Sequence, residues 1–161
     1  MINIALFGGS FDPPHIGHET IIRKSLDTLD IDKLIVMPTY LNPFKENFAL
    51  DPQIRFNKMK KMCENINKCE VSNWEIRQKK PVPTINTVEH LIKLYDIDRL
   101  YLIIGADNLC HIETWEGYDD LKKLTIFIVA SRDDIDTKAY KTLYISCPIS
   151  STSLREKKIL Y

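Results

Sequence analysis

The chain is predicted to fold as an α/β domain, a doubly wound parallel sheet spanning residues 1–161. Three observations predict it. Short runs rich in Ile, Leu and Val alternate with longer stretches of helical periodicity. The short runs are apolar at nearly every position, as befits strands covered on both faces. Glycine, proline and polar residues gather directly after those runs, where parallel sheets bind ligands beyond the carboxyl ends of their strands.

The expected strands are residues 2–7, 34–37, 100–104 and 126–130. The expected helices are residues 16–29, 51–67, 87–95 and 116–124. Strand–helix alternation of this kind closes through right-handed crossovers. Residues 38–52 and 78–83 read as loops, and the first has a length that loops in compact domains often owe to function.

Bulk composition narrows the function classes. Hydrophobic residues make up 44% of the chain, enough for a real core. Lys+Arg and Asp+Glu stand at 22 each, so no global field draws the chain to nucleic acid or to an anionic membrane. Any anionic ligand must be held by local positive groups. No apolar run approaches the roughly 20 residues that cross a bilayer. The opening MINIALFGG lacks a basic stretch and a cleavage site, so a cytoplasmic place is expected. Cys63, Cys69, Cys110 and Cys147 form no CxxC pair, which favours free thiols over a zinc site.

The stretch FGGSFDPPHIGH, residues 7–18, carries the first chemistry. Gly8 and Gly9 are expected to turn the chain and let a ligand approach the backbone. Pro13 and Pro14 fix the loop. A helix beginning near His15 or Ile16 then aims its free N–H groups and positive dipole end at that loop, a phosphate site. His15 and His18 share one helical face and can donate to phosphate oxygens. An HxxH pair also suits a metal, but no third ligand is evident, and no protein metal ligand is named. A plain strand–helix connection is the structural alternative.

Taken together, Gly9-Ser10-Phe11-Asp12 followed by His15-Ile16-Gly17-His18 resembles the (H/T)xGH signature of the nucleotidylyltransferase superfamily, implying its Rossmann-like fold. The superfamily's second half is matched by ISSTSLR, Ile149 to Arg155. Ser150, Ser151 and Thr152 suit a capped helix start, with Arg155 one turn in as a cation for phosphate.

Further stretches resemble the bacterial nicotinate-nucleotide adenylyltransferases. MPTYLNPFK keeps the family's loop lysine as Lys45, with Phe44 where histidine is usual. EIRQKKPVPTINTVEHL resembles the family's E-x-x-R segment and its Thr-containing helix entry. Thr84 and Thr87 match, and Asn86 replaces the usual Asp as a cap. The resemblance implies backbone N–H donors for a nicotinate carboxylate there; a capped helix alone is the alternative. IIGADNLCHIETW carries Gly105 and Asp107 at the ligand edge, with Asp107 implied at the nucleotide sugar and Trp115 on the pyridine ring. Trp115 as a half-buried anchor is the other reading. Arg132 in VASRDD matches a family arginine near the phosphates, Arg77 is a weaker match, and His90 and His111 read as surface or structural histidines.

The resemblance implies in-line attack by a mononucleotide 5′-phosphate on the α-phosphorus of ATP. The nucleophile is already an anion, so catalysis is positioning and charge stabilisation. His15 and His18 are assigned to the α and β phosphates, and Lys45 and Arg155 to the β/γ side. Gly8, Gly9, Ser10, Phe11, Gly17, Ile149, Ser150, Ser151, Thr152 and Arg132 complete the ATP and phosphate shell. Thr84, Thr87, Gly105, Asp107 and Trp115 form the nicotinate-nucleotide side. Mg2+ is expected to enter with ATP. After Arg155 the chain ends sooner than the family does, which leaves an apolar face exposed or hands it to a second copy, a homo-oligomer. Phosphopantetheine adenylyltransferase is the runner-up, though it usually has Thr in place of His15. An aminoacyl-tRNA synthetase piece would need Lys58-Met59-Lys60-Lys61 as its lysine loop, at far too short a spacing. A nucleotide sensor would bind ATP without turnover.

Overall fold

The structure, a computed structural model, describes residues 1–41, 47–131 and 141–144; the side chains of Asp107, Cys110 and Tyr144 lie outside that description. The elements run β1 (Ile2–Gly9), α1 (Ile16–Thr28), β2 (Lys33–Pro38), α2 (Pro52–Cys63), β3 (Cys69–Val71), α3 (Trp74–Arg77) and α4 (Thr84–Leu94). Then come β4 (Ile97–Gly105), a 3-10 turn (Ala106–Thr114), α5 (Tyr118–Leu124), β5 (Ile126–Ser131) and β6 (Lys141–Tyr144). Among the described residues the sheet has six strands in the order β3-β2-β1-β4-β5-β6, every neighbouring pair parallel. The doubly wound fold is therefore as expected. The order reverses between β1 and β4, which puts the ligand crevice at their carboxyl ends.

Alternation along each strand decides which helix it meets. Ile4, Leu6, Ile35, Met37, Leu100 and Leu102 pack with Val88 and Leu91 of α4, Ile112 of the 3-10 turn and Leu121 of α5. Ala5, Phe7, Leu34, Val36, Tyr101 and Ile103 pack with Ile21 and Ile22 of α1 and Met59 and Cys63 of α2. Each wholly buried Leu or Ile stabilises the fold by ~1.5–3 kcal/mol. With both faces covered, the central positions of these strands are apolar, and polar residues such as Asn3, Lys33, Asp98 and Arg99 keep to their amino ends.

Several expectations need correction. Gly8 and Gly9 do not turn the chain: they extend β1, opposite Met37 and Pro38, and neither has a positive φ. α2 stops at Cys63 rather than at residue 67, and Lys68 at φ 66° swings the chain into β3. α4 begins one turn early, at Thr84, so Asn86 lies inside the helix and caps nothing; Pro83 is the N-cap, with no side-chain bond. α5 begins at Tyr118, because Gly117 sits at φ 70° in the left-handed region. A Cβ on Gly117 would come within 2.9 Å of the Ile85 side chain, so only glycine lets this turn close on α4. Residues 106–114, assigned to no element from the sequence, wind into the 3-10 turn. No described helix is long and apolar enough to cross a membrane.

Candidate active site

α1 is capped by the histidines themselves. His15 stands in extended backbone at the N-cap, and its Nδ1 accepts from the Gly17 N–H at 3.0 Å. The His18 Nδ1 accepts from the His15 N–H at 3.1 Å, a capping box built from two imidazoles. The N–H of Gly17 is thus spent inside the protein rather than offered to a ligand. The gain is a fixed tautomer. A ring nitrogen that accepts carries no proton, so the proton of each neutral ring sits on Nε2. The rings stack, with centroids 3.8 Å apart at 25°, and Phe11 meets His18 edge-on at 4.8 Å. Burial lowers the His15 pKa to about 4; burial and then the neighbouring His15 lower that of His18. Both rings are therefore neutral Nε2–H donors at pH 7, held in place before any phosphate arrives.

Two buried polar residues hold that loop. The Asp12 carboxylate accepts from the N–H groups of Ala49 (2.6 Å) and Leu50 (2.7 Å). Arg55 of α2 is 1% exposed. Its Nη1 donates to the carbonyls of Ser10 (2.6 Å) and Thr39 (2.8 Å), its Nη2 to that of Tyr40 (2.7 Å) and its Nε to that of Leu50 (3.0 Å). One side chain thereby joins the segment after β1 to the segment after β2. Burial lowers its pKa, with Asp12 and Asp51 opposing, and a guanidinium remains a cation throughout. Sequence reasoning passed over both residues. The signal for Arg55 was its spacing: with Met59 and Cys63 it recurs every fourth residue, on the stripe that faces the sheet.

Beside this loop, at the β1/β4 switch point, lies a cavity of about 290 Å³. Gly8 and Gly9 border it, with Thr39 after β2, Glu75 of α3, Val82 and Pro83 of the following loop, and Thr84 opening α4. Asn108, Thr114, Trp115 and Glu116 border the other side. Thr84 and Trp115, expected on one ligand, do line one cavity. Trp115 is half-buried and packs on the core as well, so anchor and cavity wall are the same residue. Pro83, the N-cap of α4, makes no side-chain bond, and the helix start at Pro83 and Thr84 borders the cavity. The Thr39 hydroxyl is buried without a partner among the described residues.

Thr87 is placed differently from expectation. It is wholly buried and donates its hydroxyl to Glu75 Oε2 at 2.7 Å, so it orients Glu75 instead of lining the cavity. Glu75, to which the sequence reading gave no role, is 5% exposed, and burial raises its pKa to about 8 against the opposing Thr87 bond. Ser10 contributes its carbonyl to Arg55, and Gly17 its N–H to His15. Gly105 ends β4 and caps the 3-10 turn. His90 stacks on Trp74 at 4.2 Å, and His111 is exposed. Lys45, Arg132, Ile149, Ser150, Ser151, Thr152 and Arg155 lie outside the described residues, as does the Asp107 side chain.

Comparison with known proteins agrees with this geometry. The cytidylyltransferase-like family matches residues 6–157. A relative from Sulfurimonas denitrificans, named probable nicotinate-nucleotide adenylyltransferase, is 49% identical over 157 residues, covering 97% of this chain and 85% of its own. One of the same name from Campylobacter jejuni is 47% identical over 156 residues, covering 96% and 86%. The solved nicotinic acid mononucleotide adenylyltransferase of Plasmodium falciparum, complexed with NaAD, superposes with a TM-score of 0.79. That likeness covers 97% of this chain and 83% of the other at 22% identity, a likeness of fold.

Proposed function

Given that the chain belongs to the cytidylyltransferase-like family, we propose that it transfers the adenylyl group of ATP to nicotinic acid mononucleotide, releasing pyrophosphate and forming deamido-NAD. The observation that carries this reading is the adjacency of two unlike sites at the end of β1. Gly8 and Gly9, closing β1, border the cavity that Trp115 also borders, and the chain runs directly on to the stacked histidines.

In this reading the mononucleotide lies in the cavity with its pyridine ring on Trp115. Its 5′-phosphate oxygen attacks the α-phosphorus in line; the bond to the bridging oxygen breaks and pyrophosphate leaves with the electron pair. No side chain need remove a proton. The Nε2–H groups of His15 and His18 donate to the α and β phosphates as charge shifts outward. Lys45 and Arg155 take the β/γ side, and Ser10, Ser151, Thr152 and Arg132 complete the phosphate shell. Asp107 takes the sugar, and the open α4 terminus at Thr84 takes the ring carboxylate. Mg2+ travels with ATP. The described cradle presents N–H donors, and no group of three or more His, Cys, Asp or Glu among the described residues fits a metal, so phosphate oxygens and water would hold the ion. One domain working in the cytoplasm suffices for this chemistry, alone or as a homo-oligomer.

Pyrophosphate release from Mg-ATP tests the reading with three acceptors: nicotinic acid mononucleotide, its amide and phosphopantetheine. Turnover with the first supports it. Turnover with phosphopantetheine alone would keep the phosphate cradle and overturn the second-substrate site.

A further inference from the structure

We propose that Glu75 reads the substituent on the pyridine ring: its carboxyl hydroxyl donates to a ring carboxylate and so selects the acid mononucleotide over the amide. The inference rests on the nucleotide reading above and deepens it. The geometry is specific. Glu75 is 5% exposed, yet it borders the cavity that Trp115 and Thr84 also border. One of its oxygens, Oε2, is occupied by the Thr87 hydroxyl. The other makes no hydrogen bond among the described residues, in a side chain that borders the cavity. At about 290 Å³ the space exceeds the ~150 Å³ that accommodates one benzene ring.

Its surroundings keep the group protonated at neutral pH. Burial is the main cause, the Thr87 bond opposes it, and the pKa stands at about 8. The strands face the cavity with apolar side chains and glycines, α4 with Thr84, and the 3-10 turn with Asn108 and Thr114. Among the described residues, Glu116 is the other ionisable side chain in the lining, and it is exposed. The basic groups of α3 and α4 lie elsewhere: Arg77 is exposed, and His90 and Lys93 border a separate outer groove.

Because Oε2 accepts from Thr87, a proton on Glu75 sits on the free oxygen. It then donates to a carboxylate in a charge-assisted bond, roughly twice as strong as the neutral bond an amide oxygen accepts. Once Glu75 ionises, the preference inverts. Two carboxylates repel, while the amide NH2 gains an acceptor.

The test is the ratio of kcat/KM for acid over amide mononucleotide, followed from pH 6 to 9.5. ATP, the 5′-phosphate and both histidines are common to the two assays, so their titrations cancel. The ratio is expected to fall ~10-fold or more between pH 7 and 9.5 in the unaltered protein, as Glu75 ionises. Glu75→Gln keeps a neutral donor at every pH, so its ratio should be flat and favour the acid. Thr87→Val removes the bond that favours the ionised form, and should move the fall to higher pH. A merely structural Glu75 would move none of these. A ratio constant within about twofold in the unaltered protein, or one that titrates alike in Glu75→Gln, overturns the proposal while leaving the transferase reading intact. Failure of both mononucleotides at every pH overturns the two together.

Discussion

The two halves of the candidate site are built on opposite plans. The histidine cradle is made of near neighbours: His15 bonds Gly17 two residues on, and His18 bonds His15 three residues back. Its polar groups are satisfied within one turn of helix, and its chemistry is set by which ring nitrogen is left over. The cavity has no such local logic. It draws on β1, the segment after β2, α3, the start of α4 and the turn before α5. Its main polar resource, Glu75, is defined by what buries it. A donor array that must meet a polyphosphate gains from local rigidity, whereas a pocket that must tell one ring substituent from another needs an environment only packing can supply.

Breaking the link between the halves should have the largest effect. Arg55→Met leaves the carbonyls of Ser10, Thr39, Tyr40 and Leu50 without their donor, and is expected to cost ~3–5 kcal/mol in urea unfolding. Next, His18→Ala should cut kcat by ~10²–10³-fold, by analogy with loss of one transition-state donor. Losing its part of the cap should cost only about 1 kcal/mol of stability. A variant within about threefold of the unaltered rate would remove His18 from the mechanism.

A pH series separates the two halves directly. The His15 pKa, about 4, lies below the ordinary 6.5, so its stabilising contribution is complete above pH 6.5 and lost as pH falls toward 4. The Glu75 pKa, about 8, lies above the ordinary 4.5, so its contribution is complete below pH 4.5 and lost as pH rises toward 8. Glu75→Gln should therefore gain on the unaltered protein between pH 5 and 8, by roughly 1–3 kcal/mol in thermal melts. A constant gap between the two melts would show that Glu75 does not stay protonated on folding. The smallest effect is expected at Trp115. Trp115→Phe should be tolerated, while Trp115→Ala should raise the KM for the mononucleotide ~10-fold and that for ATP much less. Equal rises for both substrates would make Trp115 a packing residue only.

The same contrast governs what could be read from the chain beforehand. β1, β2, β4 and β5 were legible because two-faced burial leaves uninterrupted apolar runs. β3, three residues long at the sheet edge, carries no such run. The Gly8–Gly9 pair was read as a turn because glycine permits one; pairing with Met37 and Pro38 made it strand instead. The start of α4 differs by a turn because Asn86 reads as a cap in sequence, whereas the helix is capped at Pro83 with no side-chain bond and runs through Asn86. His15 and His18 are legible as a pair from their spacing, but the capping box and not a shared helical face joins them, since His15 stands before α1 in extended backbone. The burial of Arg55, Asp12 and Glu75 is not legible, although Asp12 and Glu75 stand within motifs, because a charged residue in a sequence looks like surface until something covers it.

By itself, then, the amino-acid sequence determined the alternation of strands and helices, the membership of the chain in its family, and the histidine pair at the first helix start. Each depends on interactions between residues a few positions apart, or on motifs read as contiguous strings. Only the tertiary structure decided that Thr87 serves Glu75, that Arg55 ties two loops through their carbonyls, and that a buried carboxyl group, its pKa raised by that burial, borders the cavity. Desolvation is the physical reason: it is a property of the surroundings, and segments far apart in the chain must meet before any side chain has surroundings at all.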